Sequence, residues 1–138
     1  MKVAIIGAAG RMGARLVHAV CETPDLVLSG AVERSGHPQL GMDAGLTAAA
    51  GELGVPITDD LDAVMETADV LIDFTFPDVT LNNLAVCAEH GKAVIVGTTG
   101  LTDAEKEQVA MAAEKTPVIF APNMSVGVNA SLRLISMA

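Results

Sequence analysis

At 138 residues the chain is long enough to bury a core, and 51% hydrophobic with 18% charged residues places it among globular proteins rather than disordered or fibrous ones. A net charge of −9 opposes a phosphate backbone and argues against nucleic acid as a partner. No apolar run is long enough to span a bilayer, and the first residues lack the basic, apolar and cleavage-site order of a leader, so no membrane partner is expected and the cytoplasm is the expected location.

Lys2 to Ile6 reads as a short buried strand, followed at once by Gly7-Ala8-Ala9-Gly10-Arg11-Met12-Gly13 and then by a helical pattern from Arg11 to about Glu22. Glycines at that junction permit a tight turn and a close backbone approach to pyrophosphate, and the helix offers free N–H groups at its positive end. They stand at relative positions one, four and seven, so the loop is one residue longer than the common fingerprint, with Ala9 where the second glycine would be. The second strand, Leu26 to Val32, ends in Glu33-Arg34, twenty residues after Gly13. A carboxylate there can accept ribose hydroxyls, and the adjacent guanidinium can pair with a 2′-phosphate. Arg11 and Arg15 join Arg34 as a positive patch in an acidic chain, the alternative being solvated helix residues. The competing reading of the loop is a strand-turn-helix that needs glycine only for packing.

Ser35 to Gly54 is rich in glycine and alanine and is expected to wander with one short helical piece. Val55 to Thr58 reads as a minor strand, Leu61 to Glu66 as a helix, and Val70 to Phe74 as a strand. A helix from Pro77 to about His90 follows, with proline in its first turn. Ala93 to Val96 is the next strand, ending in Gly97-Thr98-Thr99-Gly100. Thr102 and Glu105 have the spacing of a capping box, and their helix continues to about Lys115. Val118 to Ala121 is a strand, and Ser125 begins a last helix.

Alternating strands and helices, with strands apolar on both faces, predict an α/β Rossmann-type fold, a doubly wound parallel sheet with helices on both faces. Ligands bind such sheets at the strands' carboxyl ends, where five segments are expected to converge: Gly7 to Gly13, Glu33-Arg34, Phe74-Thr75, Gly97 to Gly100 and Ala121 to Ser125. Cys21 and Cys87 show no CxxC spacing and are expected to be small buried residues. His18, His37 and His90 form no ligand pair, so no metal site is expected; His90 lies before Gly91, where a helix C-terminus favours its cation. Asp73 is expected to bond loop amides at its strand end rather than act as a catalytic acid.

The strings GAAGRMG, ERSG, IDFT from Ile72 to Thr75, GTTG from Gly97 to Gly100, and FAPNMSVGVN from Phe120 to Asn129 occur in an order and spacing that resembles the N-terminal half of bacterial dihydrodipicolinate reductases, the 4-hydroxy-tetrahydrodipicolinate reductases of lysine and diaminopimelate biosynthesis. The resemblance covers essentially the whole chain. It implies a nucleotide-binding domain over residues 1–138 of an oxidoreductase that uses NADH or NADPH. Gly7, Ala8, Ala9, Gly10, Arg11 and Met12 would wrap the pyrophosphate, Glu33 would hold the adenosine ribose, and Arg34 would meet the 2′-phosphate. Phe74 and Thr75 would border the same cofactor. Gly97, Thr98 and Thr99 would lie against the nicotinamide end, as would Phe120, Ala121, Pro122, Asn123 and Met124. The threonines could instead satisfy backbone groups at a strand end, and Asn123 could be a turn residue. Phe76 stands where many relatives carry a polar or basic residue.

Family members continue into a second domain that carries a catalytic lysine and an anion site for the dicarboxylate substrate. None of the residues here is therefore expected to be catalytic. The last helix, with Val128, Leu132 and Ile135 at helical spacing, reaches Ala138 without a stop signal and reads as cut within a helix. The short-chain dehydrogenases are set aside because their chemistry needs tyrosine, which this chain lacks. Aspartate and homoserine dehydrogenases share a nucleotide half but are not expected to combine GTTG with NMSVGVN. A stand-alone dinucleotide-binding or redox-sensing module remains the alternative function.

Overall fold

The computed structural model describes residues 1–121 and 123–137. Within them the apolar runs become strands β1 (Lys2–Ile6), β2 (Val27–Val32), β3 (Ile57–Thr58), β4 (Val70–Asp73), β5 (Ala93–Val96) and β6 (Val118–Phe120). The helices between and after them are α1 (Arg11–Glu22), α2 (Ala44–Thr47), α3 (Leu61–Thr67), α4 (Pro77–Glu89), α5 (Asp103–Ala113) and α6 (Val126–Ile135). Most boundaries fall within a residue or two of those read from the sequence. The last helix ends at Ile135, short of the end of the chain, with Ser136 as its C-cap.

All strand pairs are parallel and the order is β3-β2-β1-β4-β5-β6. Because the chain moves outward from β1 first on one side and then on the other, β1 and β4 are neighbours whose following loops diverge. The register aligns Thr58, Val32, Ile6, Asp73, Val96 and Phe120, so the strands' carboxyl ends form one row. Any crevice between diverging loops must open along it.

Alternate residues of β1 feed two cores, which is why its sequence shows no polar face. Ala4 and Ile6 pack with Met65, Leu71, Leu84 and Val94 beneath α3, α4 and α5. Val3 and Ile5 pack with Val17, Val20, Leu28 and Ala31 beneath α1. On this second face the cover thins toward β6, where Ile72 and Ile95 are half-buried and Ile119 is 61% exposed. Helix α6 buries none of its residues.

One expectation about the cysteines is overturned. Cys87 is buried, but Cys21 is exposed. Gly13, Val17 and Val20 are the positions of α1 turned to the sheet, and the residue after Val20 is rotated by about 100° away from it. His90 caps the C-terminus of α4 and also pairs with α3, its Nε2 lying 3.1 Å from Asp62 Oδ1. Among the described residues no helix is long and apolar enough to cross a membrane.

Candidate dinucleotide site

After Ile6 the chain reverses within a few residues. The Gly7 and Ala8 N–H groups both donate to the Val32 carbonyl, at 2.8 and 3.2 Å, and the Gly10 N–H donates to the Gly7 carbonyl at 2.9 Å. Gly7 has φ +70°, a conformation that favours glycine. Gly13 is required for a different reason. A Cβ there would collide with the Gly7 carbonyl and the Ala8 backbone, so the first turn of α1 lies directly on the loop.

That helix begins without a side-chain cap or an acidic residue in its first turn. By contrast Asp43, Asp60, Thr102 and Ser125 each cap the helix they precede, α2, α3, α5 and α6. The first-turn amides of α1 thus remain available, together with the positive end of its dipole, for an anion. Glu33 ties the end of β2 to this loop: its Oε1 accepts the Ala9 N–H at 3.1 Å and its Oε2 the Arg34 N–H at 3.3 Å. Arg11, Arg15 and Arg34 border the same space and form no ion pair among the described residues.

The opposite wall comes from β4 and the first turns of α4. Phe76 is the N-cap residue of α4 and makes no side-chain cap; Pro77 follows in the first turn. Phe76 is 75% exposed and borders the cavity with Phe74, Thr75, Val79 and Asn83. Between the walls is a cavity of about 880 Å³. That is near the top of the range of roughly 300–1,000 Å³ usual for small-molecule sites.

Beneath this wall Asp73, with 0% exposure, organises a buried polar network. Its Oδ1 accepts the Thr75 N–H at 2.9 Å and the Thr75 hydroxyl at 2.6 Å, and its Oδ2 accepts Asn83 Nδ2 at 2.8 Å. The Thr98 hydroxyl lies 2.7 Å from that of Thr80 and donates to Asp73 Oδ1 at 3.4 Å. Asp73 is therefore a strand-end anchor, and the bond to α4 adds what its sequence neighbours did not indicate. Nearby, the Cys87 thiol is pushed up to about 12 by burial and, second, by the charge of Asp73.

Of the five segments expected to converge, three meet in this cavity: Gly7, Ala9, Gly10, Arg11 and Met12 from the first loop, Glu33 and Arg34 after β2, and Phe74 and Thr75 after β4. Ala8 is buried under the loop. The segments after β5 and β6 do not line the cavity. Gly97, Thr98, Thr99, Phe120, Ala121, Asn123 and Met124 sit further along the same row of strand ends. Thr98 is buried with its side chain committed inward, whereas Thr99 is exposed. Asn123 behaves as a turn residue, its Oδ1 accepting the Ser125 N–H at 2.8 Å. Pro122 lies outside the described residues.

The sequence reading missed Ser35, His37, Asp59 and the α4 wall of Phe76, Val79 and Asn83. Residues 76, 79 and 83 recur at helical spacing from a proline-marked start, a signal that one face of α4 looks onto the space beside β1. No comparable pattern points to Asp59. It enters only because β3 pairs with β2 and ends in the same row.

A parallel sheet of this order, entered at its switch point by a glycine loop, an uncapped helix and a carboxylate after β2, defines the Rossmann-type class of nucleotide-binding proteins. The chain belongs to the dihydrodipicolinate reductase family, whose description "Dihydrodipicolinate reductase, N-terminus" matches residues 1–124. The 4-hydroxy-tetrahydrodipicolinate reductase of Syntrophotalea carbinolica is 53% identical over 138 residues, 100% of this chain and 52% of that protein. The reductase of the same name from Citrifermentans bemidjiense is 52% identical over 136 residues, 99% of this chain and 51% of that protein. A solved dipicolinate-bound dihydrodipicolinate reductase from Paenisporosarcina sp. TG-14 matches with a TM-score of 0.79 at 28% identity, over 100% of this chain and 53% of that one. A myo-inositol 2-dehydrogenase from Lactobacillus plantarum shares the fold, with a TM-score of 0.67 at 18% identity over 99% of this chain and 41% of that one. The chain spans about half the length of the curated relatives it matches.

Proposed function

We propose that residues 1–138 form the NAD(P)H-binding domain of a cytoplasmic 4-hydroxy-tetrahydrodipicolinate reductase of lysine and diaminopimelate biosynthesis. The observation that carries this reading is the cavity at the switch point, which joins the open amides of α1 to Glu33 and Arg34. Those groups suit the parts of a nicotinamide dinucleotide in sequence. The loop from Gly7 to Met12 wraps the pyrophosphate, whose oxygens meet the open first-turn N–H groups of α1 at Arg11 and Met12, with the Arg11 side chain adding charge. Glu33, already fixed against the loop by the Ala9 N–H, accepts adenosine ribose hydroxyls, and Arg34 beside it meets a 2′-phosphate when one is present.

Phe74 and Thr75 guide the cofactor across the gap between β1 and β4. Gly97 to Thr99 and Phe120 to Met124 then flank its nicotinamide end, positions consistent with the aligned carboxyl ends of β5 and β6. When bound, the reduced cofactor supplies the hydride that converts 4-hydroxy-tetrahydrodipicolinate to tetrahydrodipicolinate with loss of water. The residues of this chain orient it, while the dicarboxylate is held and protonated with groups of a further domain, as the greater length of the relatives suggests.

Calorimetric titration of the chain with NADH and NADPH tests the proposal. Saturable binding of both is expected, with Glu33→Ala weakening both and Arg34→Ala weakening NADPH by about tenfold more than NADH. Failure of both cofactors to bind would refute the reading.

A further inference from the structure

His37 borders the cavity without a role in the assignment above. Two linked turns carry it there from the end of β2. Its N–H donates to the Arg34 carbonyl at 3.1 Å, and Gly36, the third residue of that turn, has φ +72°, the type II pattern. The Leu40 N–H then donates to the His37 carbonyl at 3.1 Å, with Pro38 in the second position that proline favours. Arg34 and His37 are thus the two ends of one tight turn, and both residues border the same cavity.

The imidazole is also oriented. His37 is half-buried, and its Nδ1 accepts the Gln39 N–H at 3.3 Å. A ring nitrogen that accepts an amide proton carries none of its own, so the neutral ring bears its proton on Nε2. The charged side chains bordering the cavity with it are Arg11 and Arg15 from α1, Glu33 and Arg34 after β2, and Asp59 after β3. Glu33 already offers acceptors for hydroxyl groups. An oriented donor beside Arg34 complements a group that only accepts.

We propose that His37 is a specificity-determining residue for the phosphorylated cofactor, its Nε2–H donating to the 2′-phosphate that Arg34 pairs with by charge. The inference rests on the function proposed above and adds a second contact to that subsite. Its test is calorimetry of the wild-type chain, His37→Ala and His37→Gln with NADPH and with NADH. His37→Ala should weaken NADPH by about tenfold and leave NADH within about twofold, the effect of losing one hydrogen bond to a charged group. His37→Gln, whose amide keeps a donor, should recover most of the loss. Equal weakening of both cofactors, or no weakening of NADPH, overturns the inference while leaving the function intact. Absence of binding by the wild-type chain overturns both.

Discussion

Replacing Gly13 by alanine sets two physical effects against each other. Alanine is a better helix former than glycine by about 1 kcal/mol, so propensity alone makes the substitution stabilising. At Gly13, however, the new Cβ runs into the Gly7 carbonyl and the Ala8 backbone. No side-chain rotation relieves contact with backbone, so α1 must lift from the loop or the loop must open. Overpacking costs about 1–3 kcal/mol, and a backbone obstacle places this case at the upper end. The net expectation is a loss of about 2 kcal/mol, which at about 4 °C per kcal/mol lowers the Tm by about 8 °C. Thermal unfolding followed by circular dichroism measures the change directly. The same displacement moves the amides of α1, so NADH affinity should fall with stability. A variant as stable as the wild type, or more stable, would refute the close packing of loop and helix and leave propensity as the controlling term.

Thiol chemistry separates the two cysteines. At about pH 8 a disulfide reagent should modify exposed Cys21 and spare Cys87 until the chain unfolds, because the buried thiol is pushed up to about 12; two thiols reacting at similar rates in the folded chain would contradict this. Asp43 controls a pH effect in the excursion before β3. Hydrogen bonds from backbone N–H groups, that of Leu46 first and then those of Leu53 and Val55, hold its carboxyl below the ordinary value of 3.8. A depressed carboxyl contributes its stability above that ordinary value and loses it as pH falls through the folded one. Asp43→Asn should therefore be less stable than the wild type near neutrality and approach it in acid, and parallel acid limbs in the two thermal unfolding profiles would count against the assignment.

What was legible in the sequence was whatever short-range chemistry determines. The Thr102–Glu105 pair forms both bonds of its capping box, with the Thr102 N–H 2.6 Å from Glu105 Oε2 and the Glu105 N–H 3.3 Å from Thr102 Oγ1. The alternating order of strands and helices leads to a parallel sheet because both cores draw on successive residues of the same strands. The excursion from Ser35 to Gly54 was less legible. Its organiser, Asp43, gathers the N–H groups of Leu46, Leu53 and Val55, and only the first of these bonds is local enough to resemble a cap. Cys21 illustrates a different limit, since residue type argued for burial while its angular position on α1 decided exposure.

At the site, the glycine loop and Glu33-Arg34 were legible because each needs its own residue types. The Asp73 network was not, because Asn83 and Thr98 reach it from α4 and from the loop after β5. Nor could sequence separate the segments that close the cavity from those that continue along the row of strand ends.

The uneven finishing of the helices links folding to occupancy. A side-chain cap contributes about 1 kcal/mol to the helix it closes. Four helices have one, while α1 and α4 begin at the cavity without it, and in α4 proline removes one of the amides that would need a partner. An anion seated against α1 supplies in trans what Asp43, Asp60, Thr102 and Ser125 supply in cis. Binding of the proposed cofactor would then raise the stability of the chain, and its Tm should climb with ligand concentration.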